Sequence, residues 1–156
     1  MQASSVSADL AGGCQCGAVR YRLAAAACSA DICHCRMCQK AGGGPFMAFA
    51  NGPAQAFVVT RGAIAAFASS DIAKRGFCAA CGTPLTYRGH GTGRISVTLG
   101  SLDDPQAFAP QSQMGVESQV AWLAHVLQTP ATNTDVWNAE KNIADAGSRQ
   151  HPDHET

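Results

Sequence analysis

The chain has 156 residues, 46% of them hydrophobic, which fits one domain with a proper core. Its 11 Lys and Arg offset 11 Asp and Glu. This zero balance argues against a nucleic-acid binder, which needs a basic excess, and against a polybasic membrane patch. Sparse aromatics (6%) and 16 glycines favour short strands and turns over a helical bundle.

In chain order, residues 1–10 are small and polar and read as a flexible N-terminus. The opening MQASSVSADLAGG has neither the basic nor the apolar region of a signal peptide. No apolar run approaches the ~18 residues of a membrane span. The chain is therefore expected in the cytoplasm, with no membrane partner. Ala18–Leu23 reads as a strand with Val19, Tyr21 and Leu23 on one face, and Ala27–Cys33 as a second extended piece. Gly42–Pro45 must turn. Short apolar runs follow at Pro45–Ala50, Ala56–Thr60, Ala63–Ala68, Arg75–Cys78, Pro84–Arg88 and Arg94–Leu99, punctuated by turn residues. Such spacing predicts a mainly β protein built on antiparallel sheet. Helix is expected late, over Val120–Leu127 and over Val136–Ala146 with Asp135 as its cap. The tail after Gly147, SRQHPDHET, is expected to be disordered.

The outlier is eight cysteines, seven of them in three clusters: Cys14 and Cys16; Cys33, Cys35 and Cys38; Cys78 and Cys81. In a reducing compartment such clusters read as metal ligands before disulfides. Cys78-x-x-Cys81-Gly is half of a zinc knuckle, the glycine permitting the left-handed turn that closes it. Cys14 and Cys16, also followed by glycine, point to one side of an extended strand and complete a four-thiolate structural zinc site. A disulfide or a pair of core thiols is the alternative. Cys33, Cys35 and Cys38 supply three ligands, and three protein ligands with one open position is the arrangement of a catalytic zinc. Cys28 or His34 could close that site. An extended backbone turns His34 away from its neighbours, and Cys28 reads as a small buried hydrophobe.

Three thiolates on a divalent ion leave one net negative charge, a poor hydrolytic site but a good receptor for another soft ligand such as a substrate thiol. Arg36 and Lys40 beside the cluster either meet a carboxylate of that thiol or are solvated surface charge. Trp122 and Trp137 are expected to pack, His90 to sit in an exposed turn, and His125 to be without a role. His151 and His154 in the tail suggest at most adventitious metal binding. Gly42–Gly44 reads as a flexible rim of the open site rather than a phosphate cradle.

GGCQCGAVRY (12–21), CHCRMCQKAGG (33–43), FCAACGTPL (77–85) and GVESQVAWL (115–123) resemble, in that order, the glutathione-dependent formaldehyde-activating enzyme family, which includes centromere protein V. Where many relatives start the last motif with His, this sequence has Gln113. The resemblance implies a β-tent fold, twisted antiparallel sheets stapled by zinc, followed by a short helical C-terminal region. It implies a zinc domain over 11–128 and a C-terminal extension over 129–156. Two Zn²⁺ per chain are implied, one structural on Cys14, Cys16, Cys78 and Cys81, one catalytic on Cys33, Cys35 and Cys38. The activity implied is that of a carbon–sulfur lyase resembling S-(hydroxymethyl)glutathione synthase, acting on a small thiol such as glutathione and formaldehyde. A non-catalytic zinc scaffold binding a protein is the alternative, favoured by an exposed apolar patch without an open metal position. Chromatin binding, suggested by the centromere relative, is opposed by the zero net charge.

Overall fold

The computed structural model describes residues 9–24, 28–144 and 147–156. Strand β1 (Leu10–Gly13) pairs with β2 (Arg20–Leu23), and β2 with β5 (Phe57–Arg61), in a three-stranded antiparallel sheet. The second sheet has seven strands. Its remaining members are β3 (Ser29–Cys33), β4 (Met47–Pro53), β6 (Ala65–Ser70), β7 (Ala73–Phe77), β8 (Pro84–Gly89), β9 (Arg94–Thr98) and β10 (Ser112–Met114). Their order is β10-β3-β4-β9-β8-β7-β6, antiparallel throughout except for β10 alongside β3. The mainly β fold expected from the runs is therefore present. Each run becomes a strand with ends displaced by up to three residues, because turns rather than apolar boundaries set where ladders begin.

Strand alternation gives each sheet an inward face. Val19, Tyr21 and Leu23 are buried as expected and meet Ala50, Leu85 and Val97 of the larger sheet in one apolar core. Tyr21 adds a 2.6 Å hydrogen bond between its hydroxyl and Ser101 Oγ. Arg20, also fully buried, donates to both carboxylate oxygens of Asp103 at 2.7 and 2.5 Å, a bidentate pair joining β2 to the segment after β9.

The opposite face of the larger sheet mixes polar and apolar side chains. Register sets Asn51 across from Ser96, Ser96 across from Tyr87, and Tyr87 across from Arg75, one row spanning β4, β9, β8 and β7. One step along the strands, Asp31 faces Phe49, and one further, Cys33 faces Met47. This face carries the cysteine trio at its end.

Several elements depart from the sequence reading. Helix α1 (Arg36–Gly42) was not foreseen, since the cysteine segment read as extended. It exists because Cys35 caps it, accepting from Cys38 N–H, and it stops where Gly43 turns left-handed at φ 68°. The expected helix over Val120–Leu127 is a 3₁₀ stretch, Ala121–Gln128. Helix α2 (Thr134–Glu140) starts after Asn133, whose side chain makes no capping bond, with Asp135 inside its first turn, and it ends early; residues 145–146 of its expected range lie outside the described residues. The expected looseness of residues 1–10 falls on 1–8, outside the described residues, and Leu10 already opens β1. The tail, expected to be disordered, makes specific contacts. His151 N–H donates to Gln15 O at 2.7 Å, Glu155 lies 3.6 Å from Arg20 and 3.8 Å from Arg22, and Arg61 donates to Thr156. The Glu155 carboxylate finds partners on β2 and the His151 backbone one beside the first cysteine turn, which composition does not register.

Candidate metal centres

The first cluster forms where two tight turns meet. Cys14 and Cys16 lie in the turn after β1, closed by Gly17 N–H donating to Cys14 O at 3.0 Å. Cys78 and Cys81 lie between β7 and β8, closed by Gly82 N–H donating to Cys78 O at 2.8 Å. Gly17 and Gly82 take φ of 74° and 78°, the left-handed conformation expected of a glycine after each second cysteine. Thr83 ties the turns together, its hydroxyl accepting from Gln15 N–H at 3.0 Å and lying 3.1 Å from Cys81 Sγ. All four sulfurs fall within 4.8 Å of one another, with Cys14–Cys16 at 3.6 Å and Cys16–Cys78 at 3.9 Å. A tetrahedral ion with bonds of ~2.3 Å needs sulfurs ~3.8 Å apart, so the donor set fits zinc in chemistry and spacing. Val19 N–H points at Cys14 Sγ from 3.2 Å, the outer hydrogen bond that steadies a ligating thiolate.

The second cluster is built by β3 and α1. Cys33 ends the strand, Cys35 caps the helix and Cys38 occupies its first turn, so the strand-to-helix corner folds three sulfurs to within 4.8 Å. Among the described residues no fourth His, Cys, Asp or Glu joins them. His34 is buried and turned away, as the alternation predicts, its Nε2 paired at 2.8 Å with Gln113 Oε1. Cys28 lies elsewhere, donating to Ala24 O at 3.2 Å at the edge of the main core. Gln39 bolts the corner in place, donating to His34 O at 2.6 Å and Ser118 O at 2.9 Å.

The trio opens onto a cavity of about 340 Å³ walled by Phe49, Tyr87 and Met114 and edged by the polar groups of Asp31, Asn51 and Ser96. Asn51 is the hinge of that edge, donating to Asp31 Oδ2 and accepting from Ser96 Oγ, both at 2.6 Å. Neither cation beside the cluster in sequence lines the cavity, in line with the solvated alternative: Arg36 donates to Gln39, and Lys40 is exposed. The cavity's cation is Arg75 of β7, buried, with Nη2 at 3.3 Å from Cys38 Sγ. The sequence does not single it out, although alternation puts it on the same face of β7 as buried Ala73. Gly42–Gly44 lies outside the cavity lining. Trp122 and Trp137 are about half exposed rather than packed, and His90 is exposed as expected. His151 and His154 join no metal cluster among the described residues.

The thiols are electrostatically unequal. Burial pushes Cys33 up to about 12 and raises Cys38, against which the Arg75 guanidinium pulls. Burial also opposes ionisation of Cys35, but the Cys38 N–H and the neighbouring sulfurs outweigh it and hold Cys35 below its ordinary value. Cys81 falls to about 6 because the Thr83 hydroxyl and N–H overcome burial. Burial raises the Asp31 carboxyl, with Asn51 partly offsetting it. A depressed thiol is nucleophilic above its own pKa, so the trio has a predicted order of reactivity. With the trio free of any metal, iodoacetamide at neutral pH should alkylate Cys35 well before Cys33. Peptide mapping by mass spectrometry reads the order, and equal rates would contradict it.

These observations define a class: a mainly β protein of two sheets whose two cysteine clusters, of four and three sulfurs, could each hold a metal ion. Within it, the chain belongs to the family described as glutathione-dependent formaldehyde-activating enzyme, which matches residues 9–118. The crystal structure of a Rhodobacter sphaeroides protein is similar in fold at a TM-score of 0.54 and 23% identity, covering 67% of this chain and 99% of that one. No curated protein matches the chain. Among the described residues, no helix is long and apolar enough to cross a membrane.

Proposed function

We propose that the protein is a zinc-dependent carbon–sulfur lyase of the S-(hydroxymethyl)glutathione synthase kind, joining or releasing a small thiol such as glutathione and formaldehyde in a reducing cytoplasm. The observation that carries this reading is the three-sulfur cluster opening onto a cavity of about 340 Å³. Cys14, Cys16, Cys78 and Cys81 would hold a structural Zn²⁺, and Cys33, Cys35 and Cys38 a catalytic one. Zinc on three thiolates supplies a soft acceptor that stabilises a substrate sulfur as thiolate. The chain does the rest. Phe49, which is buried, and Tyr87 would shield the reacting carbon from water. Asn51 and Ser96 offer hydrogen bonds to the adduct hydroxyl. As the C–S bond breaks, its electron pair goes to sulfur and the hydroxyl proton to a base, for which the Asp31 carboxylate is the cavity's acidic side chain. In the reverse direction that proton returns to the carbonyl oxygen as sulfur attacks carbon.

Exposed apolar residues late in the chain, Trp122 at 56% and Leu127 at 97%, favour the second reading, a scaffold that binds a protein. A scaffold has no use for a metal position facing a cavity, so the enzyme reading stands first. Its direct test is stoichiometry. Protein purified without chelator is expected to carry two zinc ions per chain, one removed by mild chelation and one resistant. A single tight ion, with the three middle thiols titrating freely, sinks the two-site reading.

A further inference from the structure

Arg75 is a buried guanidinium, 5% exposed, with no carboxylate in ion-pair range among the described residues. Its Nε donates to Ser69 Oγ at 2.9 Å, Nη1 approaches Met47 Sδ at 3.6 Å, and the Tyr87 ring centroid lies 5.0 Å from Cζ. Those contacts aim the remaining nitrogen, Nη2, at Cys38 Sγ. A buried unpaired charge is strongly unfavourable, so a fold that keeps one must supply its counter-charge. The anion within reach is the cysteine trio.

We infer that Arg75 is the positioning and charge-balancing residue of the trio, the built-in cation that lets an anionic fourth sulfur enter the cavity. The inference rests on the trio holding a divalent ion. Loading replaces three thiol protons by one such ion and leaves the site one negative charge. Arg75 brings the sum to zero. A substrate thiol that loses its proton on entry then leaves the site at minus one rather than minus two. The interaction is with charge on sulfur, so it is blind to the rest of the substrate. It therefore acts alike on a carboxylated thiol and on a neutral one, unlike a carboxylate anchor.

The test compares the wild-type chain with Arg75→Met, which keeps the bulk, and Arg75→Lys, which keeps the charge, circular dichroism establishing that each is folded. Cobalt-loaded protein is titrated with glutathione and with 2-mercaptoethanol, and retention of the trio's ion is measured against a competing chelator. Arg75→Met is expected to weaken binding of both thiols about 10–100-fold, the usual effect of losing a partner of a metal ligand, and to loosen the trio's ion to a similar degree. Arg75→Lys should restore most of both. If Arg75→Met does not fold, Arg75→Gln, which keeps N–H donors, reads the same loss of charge. Unchanged affinities overturn the inference, and so does a loss confined to glutathione, which would make Arg75 a carboxylate anchor. If the wild-type chain binds no thiol, the lyase reading fails, and Arg75 is still judged by the chelator competition.

Discussion

Cys78→Ser is expected to cost the protein its fold. The four-sulfur cluster joins the turn after β1 to the turn between β7 and β8, segments more than sixty residues apart, and so links the small sheet to the large one. Metal binding at a closed cysteine site is folding energy, ~10–16 kcal/mol in small zinc modules, comparable with the ~5–15 kcal/mol total stability of an ordinary domain. Losing one of four thiolates should therefore abolish the cooperative thermal transition near room temperature and release the chelator-resistant ion. Cys28→Ser is the control: its thiol makes a single bond to a backbone oxygen, which a hydroxyl can also make, and a change below ~1 kcal/mol is expected. A Cys78→Ser protein that melts like the wild type would show that the cluster does not hold the sheets together.

Cys35→Ser should have the opposite profile, an intact fold with thiol-dependent activity reduced to background. The trio sits on the cavity face of the large sheet, apart from the core formed by Tyr21, Leu23, Leu85 and Val97. Cys35 is also the N-cap of α1, a position where serine is at least as good, so the helix is preserved while a soft ligand becomes a hard one. Far-ultraviolet circular dichroism and turnover of formaldehyde with glutathione, measured on one preparation, separate the two effects. Loss of structure equal to that of Cys78→Ser would make the trio structural as well.

The metal-type cysteines were legible in the sequence because spacing acts locally. The C-x-C-G and C-x-x-C-G segments each aim two sulfurs together through a local turn, although Cys14 and Cys16 lie in the turn after β1 and not on the extended strand that was expected. The face of β2 was equally legible, since alternation of Val19, Tyr21 and Leu23 needs no tertiary information. Helix α1 was not, because its seven residues are nucleated by a cysteine cap and closed by one glycine, signals weaker than the propensity of the segment around them. Strand β10 was hidden for a different reason: Ser112–Met114 is exposed and polar, and only its pairing with β3 makes it a strand. Arg75 is not legible because its partners, Cys38, Ser69 and Tyr87, come together in space from three separate elements, α1, β6 and β8. The cations adjacent in sequence drew attention, while the one adjacent in space came from a strand nearly forty residues away.

Entry of a substrate sulfur at the trio would be visible with cobalt in place of zinc, through sulfur-to-metal charge transfer. Cobalt-substituted protein titrated with glutathione is predicted to show new or shifted charge-transfer bands, while S-methylglutathione, which cannot supply a thiolate, leaves the spectrum nearly unchanged. No spectral response to glutathione at millimolar concentration, or an equal response to both compounds, would contradict the account.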